Sequence, residues 1–383
     1  MKNAIKKKKL VLITPTFNEA ENIEKTINVL FNSFPKRENW EFHVLVVDSS
    51  SPDGTADIVR NLIPKFPQLH LLLEKQKNGL GAAYNFAMDY AFNKMQADYV
   101  MQFDADLSHD AKKIPDFVDF LDKGANFVIG TRYSKGGGIP KEWAFYRKLI
   151  SRMGNLFVSI VFFPSPISDW TSGYNAFSKK VYEKIKKDLS LEKGYNFMIS
   201  AKVSALKNGF KIKEVPYVFK DRVAGESKLG AEYMLRALYF VVTTRIKYFV
   251  KSSFFKVALV GAFGFVVQTV FFYLFFEIFK LFSALSQALS AEIAILSNFI
   301  LNNNFSFKSH KITGRKNLIT KFVNFNFVSL GSVFIQFLTQ LAGNYFFGDS
   351  RIIVYTFYIV GVFLGLISNF YLYKKFIWKH KKK

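Results

Sequence analysis

Four long apolar stretches, residues 254–276, 281–300, 322–347 and 352–373, constrain this 383-residue chain more than any other feature. Each is long enough to cross a hydrocarbon core of about 30 Å as a helix. Buried helices of a soluble domain are the alternative, and four such spans in succession would require a very large soluble core. Before residue 240 the sequence alternates charged, polar and apolar segments, whereas the last third is dominated by Phe, Val, Leu, Ile, Ala and Gly. The shift marks a boundary between an N-terminal domain of soluble type and an all-helical membrane domain.

The spans fall into two similar pairs. Leu296-Ser297-Asn298-Phe299 recurs as Ile367-Ser368-Asn369-Phe370, and Val260-Gly261 is echoed by Leu330-Gly331. A duplicated helical hairpin explains this, with chance similarity among Phe-rich spans as the rival. Lys308, Lys311, Arg315, Lys316 and Lys321 lie between spans two and three, while the other connections offer only Lys280 and Arg351. The positive-inside rule then predicts a multi-pass protein with both termini in the cytoplasm.

The net charge of +24 is placed as membrane contact requires, with lysines at the N-terminus, beside the spans, and at Lys379, Lys381, Lys382 and Lys383. No basic stripe accompanies a nucleic-acid reading motif, so nucleic acid is not an expected partner. The absence of cysteine excludes disulfides, thiolate nucleophiles and Cys-based metal sites. Lys6 to Lys9 is followed by only a short apolar run before Thr14 and Pro15, which is no secretory signal and leaves the N-terminal half expected in the cytoplasm. Residues 233–250, aromatic and aliphatic with Arg236, Arg245 and Lys247 interspersed, predict an interfacial helix that holds the N-terminal domain at the headgroups.

In that domain, aliphatic runs at 9–13, 44–47, 69–73 and 99–103 alternate with helical spacing at 21–31, 57–63 and 82–92. Such alternation predicts an α/β fold with a mostly parallel sheet covered on both faces. Ligands bind beyond the carboxyl ends of such strands, where Pro15, Asp48 and Asp104 fall. Asp104-Ala105-Asp106 can turn two carboxylates toward Mg²⁺ or Mn²⁺, hard cations that bridge diphosphate oxygens. An isolated Asp-x-Asp on a surface loop is more often merely solvated. Its position at a strand end shifts the reading toward a nucleotide site.

Thr14-Pro15-Thr16-Phe17-Asn18-Glu19, Val46-Val47-Asp48 with Ser51-Pro52-Asp53-Gly54-Thr55, and Asp104-Ala105-Asp106-Leu107-Ser108-His109 together resemble the donor-site motifs of dolichol-phosphate (polyprenol-phosphate) mannose synthases. The resemblance continues through Gly130-Thr131-Arg132-Tyr133, Arg147-Lys148-Leu149-Ile150-Ser151-Arg152, Ser172-Gly173-Tyr174 and Asp221-Arg222 with Gly225-Glu226-Ser227-Lys228-Leu229. It implies an inverting glycosyltransferase of GT-A fold. Pro15, Phe17, Glu19, Val47, Asp48, Ser49 and Ala105 would line the donor pocket. Asp104, Asp106 and Ser108 would hold the metal and diphosphate. Arg132, Arg222 and Lys228 would surround the phosphates, completing a catalytic set with Asp104 and Asp106, since a site joining two anions must suppress their repulsion.

Arg147 and Ser151, one helical turn apart, suit a lipid phosphate, with a purely structural pair as the alternative. A phosphate acceptor is already anionic and demands no general base, so His109 and His70 are read as structural. Three positions depart from the family pattern: Ser49 replaces a second Asp, Asn175 an Arg, and Ser200 a Glu.

The C-terminal part resembles the four-helix GtrA-like domains found with such synthases. Within it, Asn298, Asn302, Asn303 and Asn304 serve either headgroup binding or helix-to-helix hydrogen bonds. The expected organisation is a GT-A domain over 1–228, interfacial helices over 229–253 and a transmembrane domain over 254–383. The expected reaction transfers mannose from GDP-mannose to dolichyl or polyprenyl phosphate. UDP-glucose or UDP-N-acetylglucosamine as donor is the alternative. So is glycolipid translocation, which the scarcity of ionisable residues in the spans, mainly Glu277 and Glu292, disfavours. Membrane lipids are expected partners, and a homo-oligomer is left open.

Overall fold

A computed structural model describes residues 7–189, 194, 196–221, 231–281, 283–348 and 350–378. The chain divides into two compact units, Met1–Thr243 and Thr244–Lys383. Arg222 and Lys228 lie outside the described residues, as does the expected boundary at 228/229.

The first unit begins β1 (Lys8–Thr16), α1 (Ile23–Ser33), β2 (Trp40–Asp48), α2 (Thr55–Leu62), β3 (Leu69–Leu73), α3 (Leu80–Asn93) and β4 (Tyr99–Gln102). It continues through α4 (Ile114–Asp122), β5 (Phe127–Thr131), α5 (Phe145–Val161), β6 (Asn175–Ser178), α6 (Lys179–Leu189), α7 (Asn196–Lys207) and β7 (Ile212–Pro216). The strands form one seven-stranded sheet in the order β3-β2-β1-β4-β6-β5-β7. The first half is the strand and helix alternation read from the sequence. Leu10 to Ile13 and Val44 to Val47 are buried throughout, as strands covered on both faces must be. β6 alone runs antiparallel, pairing with β4 and β5. Pro15 is in register with Val47 and Thr16 with Asp48, so β1 and β2 end level. β4 runs parallel beside β1, and the Phe103 amide continues the pairing by donating to the Ile13 carbonyl at 3.0 Å. Asp104 therefore emerges at the same edge.

α8 (Ala231–Lys251) leads into the second unit, which contains α9 (Ser253–Tyr273), α10 (Ser283–Leu301), α11 (Arg315–Phe347) and α12 (Arg351–Leu372). α9, α10 and α12 each run into a π turn, at Leu274–Ile278, Asn302–Ser306 and Tyr373–Ile377. The last two begin four residues after Asn298 and Asn369, at matching places in the repeated motifs. Ser253–Ile278 and Ile359–Ile377 are long and apolar enough to cross a membrane, and only 17% and 18% of their most apolar windows are buried. Core helices of a soluble domain would be covered, so the exposure argues for lipid.

The unit packs around Trp378, whose ring stacks on Phe307 at 4.5 Å and whose Nε1 donates to Asn303 Oδ1 at 3.0 Å. Asn303 also clamps Ile312, accepting from its amide at 2.8 Å and donating to its carbonyl at 3.1 Å. Of the two roles open to this asparagine, protein-to-protein hydrogen bonding is the one observed. Gly264 makes room for Asn298: a Cβ there would come 2.3 Å from Asn298 Oδ1, whereas one at Gly261 would meet nothing within 4 Å. Small residues let membrane helices approach in this way. Gly264→Val should therefore lower the thermal midpoint of the detergent-solubilised protein, at a cost of about 1–3 kcal/mol, and Gly261→Ala should leave it nearly unchanged. Equal midpoints for the two variants would contradict this packing.

Candidate active site

A cleft of about 260 Å³ opens at the carboxyl ends of β1, β2 and β4. Its lining includes Pro15, Phe17, Glu19, Ser49, Asp104, Ala105 and Asp106, all singled out from the sequence, together with Thr16, Lys77, Gly79, Leu80, Ala83 and Gly194. Val47, Asp48, Ser108, Arg132, Arg147 and Ser151 are not among the lining residues.

Asp48 acts behind the wall rather than in it. Its buried carboxylate accepts from Thr16 Oγ1 at 3.0 Å, the Ser51 amide at 2.9 Å and Ser51 Oγ at 2.5 Å. The following turn repeats the device: Asp53 accepts from the amide and hydroxyl of Thr55 and from the Ala20 amide. Burial pushes the Asp53 carboxyl up, but these donors outweigh it and hold it below its usual range. Gly54 sits at φ 87°, a conformation open to glycine without a Cβ clash. The segment carrying Phe17 and Glu19 is thus pinned to the β2 turn. Ser49 Oγ donates to Glu74 Oε2 at 2.7 Å, so a carboxylate stands directly behind this position.

Asp104 Oδ1 accepts from Tyr84 Oη at 3.2 Å, and the Asp104 amide donates to His109 Nδ1 at 3.2 Å. His109 is buried and stacked on Tyr174 at 4.6 Å; burial pushes its pKa down and keeps the ring neutral. With Nδ1 accepting, the proton resides on Nε2, which lies 3.6 Å from Asp104 Oδ2. Asp106 Oδ1 accepts from the Ser108 amide at 3.0 Å across a turn in which Leu107 adopts φ 59°. These bonds orient both carboxylates. Among the described residues no three His, Asp or Glu side chains converge as a closed metal cage. Two hard oxygen donors fit a cation that completes its shell with diphosphate oxygens and water.

Sequence reading missed Lys77, whose ammonium lies 3.7 Å over the Phe17 ring, and Gly79, at φ 97° immediately before α3. The signal available was the Asn78-Gly79-Leu80-Gly81 turn at the carboxyl side of β3.

Arg132, expected around the phosphates, is paired with a carboxylate. It forks onto Asp169, with Nε to Oδ2 at 2.8 Å and Nη2 to Oδ1 at 2.9 Å, and Nη2 also reaches Thr171 Oγ1 at 2.7 Å. Burial pushes the Asp169 carboxyl up, and the guanidinium reverses that and holds it below its usual range. Nearby, Lys202 is wholly buried and donates to the carbonyls of Trp170 at 2.9 Å and Ser172 at 2.7 Å. Arg147 lies on α5, 3.8 Å from the centre of the Trp143 ring and 3.4 Å from Asp221 Oδ1. Ser151 Oγ, on the same helix, is 2.5 Å from Tyr133 Oη.

Residues 11–186 match the model of glycosyl transferase family 2, and residues 256–378 match that of the GtrA/DPMS transmembrane domain. A polyprenol monophosphomannose synthase of Mycolicibacterium smegmatis is 33% identical over 62% of this chain and 87% of its own. A dolichol-phosphate mannosyltransferase of Pyrococcus furiosus is 29% identical over 86% of this chain and 89% of its own. A solved mannosyl-3-phosphoglycerate synthase of Rubrobacter xylanophilus aligns over 63% of this chain and 74% of its own, 18% identical with a TM-score of 0.46, too distant to bear on function.

Lys202 yields a test of the site's framework. Burial pushes its ammonium from 10.5 down to about 7, against the pull of Asp169. Between those values the unfolded chain holds a proton that the folded protein lacks, so this group makes stability rise with pH across the window. Lys202→Met should flatten that rise. At pH above the window's lower edge it should also cost about 1–3 kcal/mol, by leaving the Trp170 carbonyl short of a donor. Denaturant unfolding at several pH values reads both effects, and an unchanged slope would overturn the assignment.

Proposed function

Because this chain is a glycosyltransferase of the polyprenol-phosphate mannose synthase family, joined to a GtrA/DPMS transmembrane domain, we propose that it transfers mannose from GDP-mannose to a polyprenyl or dolichyl phosphate with inversion. The observation that carries the reading is the pair Asp104 and Asp106 at a cleft shared with Pro15, Phe17 and Glu19. Two carboxylates converging beside an aromatic and a proline suit a nucleoside diphosphate held through a cation.

In this reading Phe17, capped by Lys77, packs beside the nucleoside, and Asp104, Asp106 and Ser108 hold Mg²⁺ or Mn²⁺. When bound, that ion neutralises charge developing on the leaving diphosphate. The carboxylates themselves are aimed by Tyr84 and the Ser108 amide. Arg132 acts through Asp169, as a positioning residue for the loop beside Asp104. Arg147 and Ser151 hold the acceptor phosphate, whose oxygen needs no base before it attacks the anomeric carbon. Arg222 and Lys228 are assigned to the phosphates by their motif alone. The transmembrane domain spans four times with both termini cytoplasmic, and α8 lies along the interface.

A UDP-sugar donor is the second reading, favoured by Ser49, whose hydroxyl is tied to Glu74 where the family pattern has an aspartate. Purified protein supplied with polyprenyl phosphate and labelled GDP-mannose, UDP-glucose or UDP-N-acetylglucosamine distinguishes the two. GDP-mannose should be the working donor, and Asp106→Ala should slow transfer by about a hundredfold or more, roughly 3 kcal/mol of barrier. Faster transfer from a UDP-sugar would favour the second reading. Full activity of Asp106→Ala would remove the cleft from both.

A further inference from the structure

Ser49 follows β2, is buried, and is among the residues lining the cleft. Its amide donates to the Thr16 carbonyl at 3.1 Å, which carries the β1–β2 pairing one bond past Asp48. Glu74 follows β3 and is also buried, and its amide donates to the Asp48 carbonyl at 2.8 Å. Both backbones are therefore fixed by the sheet, and the two side chains meet where β2 and β3 end in register.

The direction of the hydrogen bond between them decides what the cleft is offered. Ser49 Oγ donates to Glu74 Oε2 at 2.7 Å. The other oxygen, Oε1, accepts from Asn78 Nδ2 at 3.1 Å, and the Glu74 carbonyl accepts from Ser50 Oγ at 2.7 Å, so Glu74 is held in place behind the wall without lining the cleft itself. A hydroxyl has one proton and two acceptor lone pairs. With its proton committed to a carboxylate, Ser49 has only lone pairs left for a ligand, and the charge behind it makes them stronger acceptors. A serine without such a partner turns its hydroxyl to donate or accept as the ligand requires. Glu74 removes that freedom.

Nucleobases differ in what they bring to an acceptor. Guanine and uracil carry a ring N–H on their Watson–Crick edge, whereas adenine and cytosine carry a bare ring nitrogen there, beside an amino group. An acceptor-only contact pairs with the first two bases and sets lone pair against lone pair with the others. We propose that Ser49, polarised by Glu74, determines the base specificity of the cleft, accepting from the ring N–H of guanine or uracil and disfavouring adenine and cytosine nucleotides. Ser49 touches the base; Glu74 is a positioning residue that fixes which way the hydroxyl points. Asp48 cannot set this contact from the lining, since it lies behind the wall and its carboxylate is taken up by Thr16 and Ser51. The proposal rests on the cleft being a nucleoside diphosphate site, and it holds for a GDP-linked and a UDP-linked donor alike.

Calorimetric titration of the purified full-length protein in Mn²⁺ with GDP, UDP, ADP and CDP tests it. The better bound of GDP and UDP should bind at least about tenfold tighter than ADP and CDP. Ser49→Ala and Glu74→Gln should each cut that ratio to about threefold or less, with affinity for ADP and CDP kept or raised. In Glu74→Gln the new amide can donate to Ser49 and release its proton toward a ring nitrogen. An unchanged ratio in either variant would overturn the proposal. Affinity lost equally for all four nucleotides would mark the pair as scaffold alone, and would overturn it too. Ser49→Ala leaves the backbone bonds of Glu74 in place and decides the question by itself if Glu74→Gln does not fold. Wild-type protein that binds all four nucleotides equally would overturn the proposal and leave the nucleotide site standing. Wild-type protein that binds none would remove the nucleotide site, and the proposal with it.

Discussion

The fully buried carboxylate of Asp169 is tolerable only because Arg132 meets it with a two-bond fork and its other lone pairs accept from the amides of Arg132, Thr171 and Ser172. Desolvating two charges costs several kcal/mol per ion, and only such complete satisfaction offsets it. What the pair secures is a path for the backbone. Arg132 follows β5, and Asp169 begins the loop that returns as β6, so the fork joins two segments far apart in sequence. Lys202 then holds the carbonyls of that loop from beneath. At its tip Gly173 lies so close to Asp104 that an added Cβ would be 3.9 Å from the carboxylate and 3.3 Å from Met198 Cε. The edge of the cleft beside Asp104 is thereby built from an ion pair whose arginine is not among the cleft's lining residues.

The opposite side is built by the same physics with smaller parts. Asp48 and Asp53 spend their carboxylates on backbone amides and hydroxyls, which fixes where Phe17 and Glu19 emerge. The level ends of β1, β2 and β4 bring the two sides together. A groove with oriented carboxylates is the outcome, and in the proposed reading they would meet a diphosphate through a cation.

Much of this was legible in the chain. Aliphatic runs ending in Pro15, Asp48 and Asp104 revealed both the strands and the edge at which they stop, because periodicity and strand polarity are local properties. β6 was not legible. It is four residues long and starts with Asn175, whose amide bonds Gln102 in the core. The partner of Arg132 was not legible for a related reason: it lies 37 residues away, and nothing local distinguishes a base that will fork onto a buried aspartate from one that faces a phosphate. Lys202 reads as an ordinary helix lysine until its helix is placed.

The central claim is that Asp104 and Asp106 make the cleft a cation-dependent nucleoside diphosphate site. Titration of the purified full-length protein with GDP, in Mn²⁺ and again in chelator, tests it without relying on acceptor or lipid. The account predicts binding in Mn²⁺ that weakens by at least about tenfold in chelator and in Asp104→Ala, roughly 1.4 kcal/mol or more. GDP affinity that is the same in metal, in chelator and in the variant would contradict it.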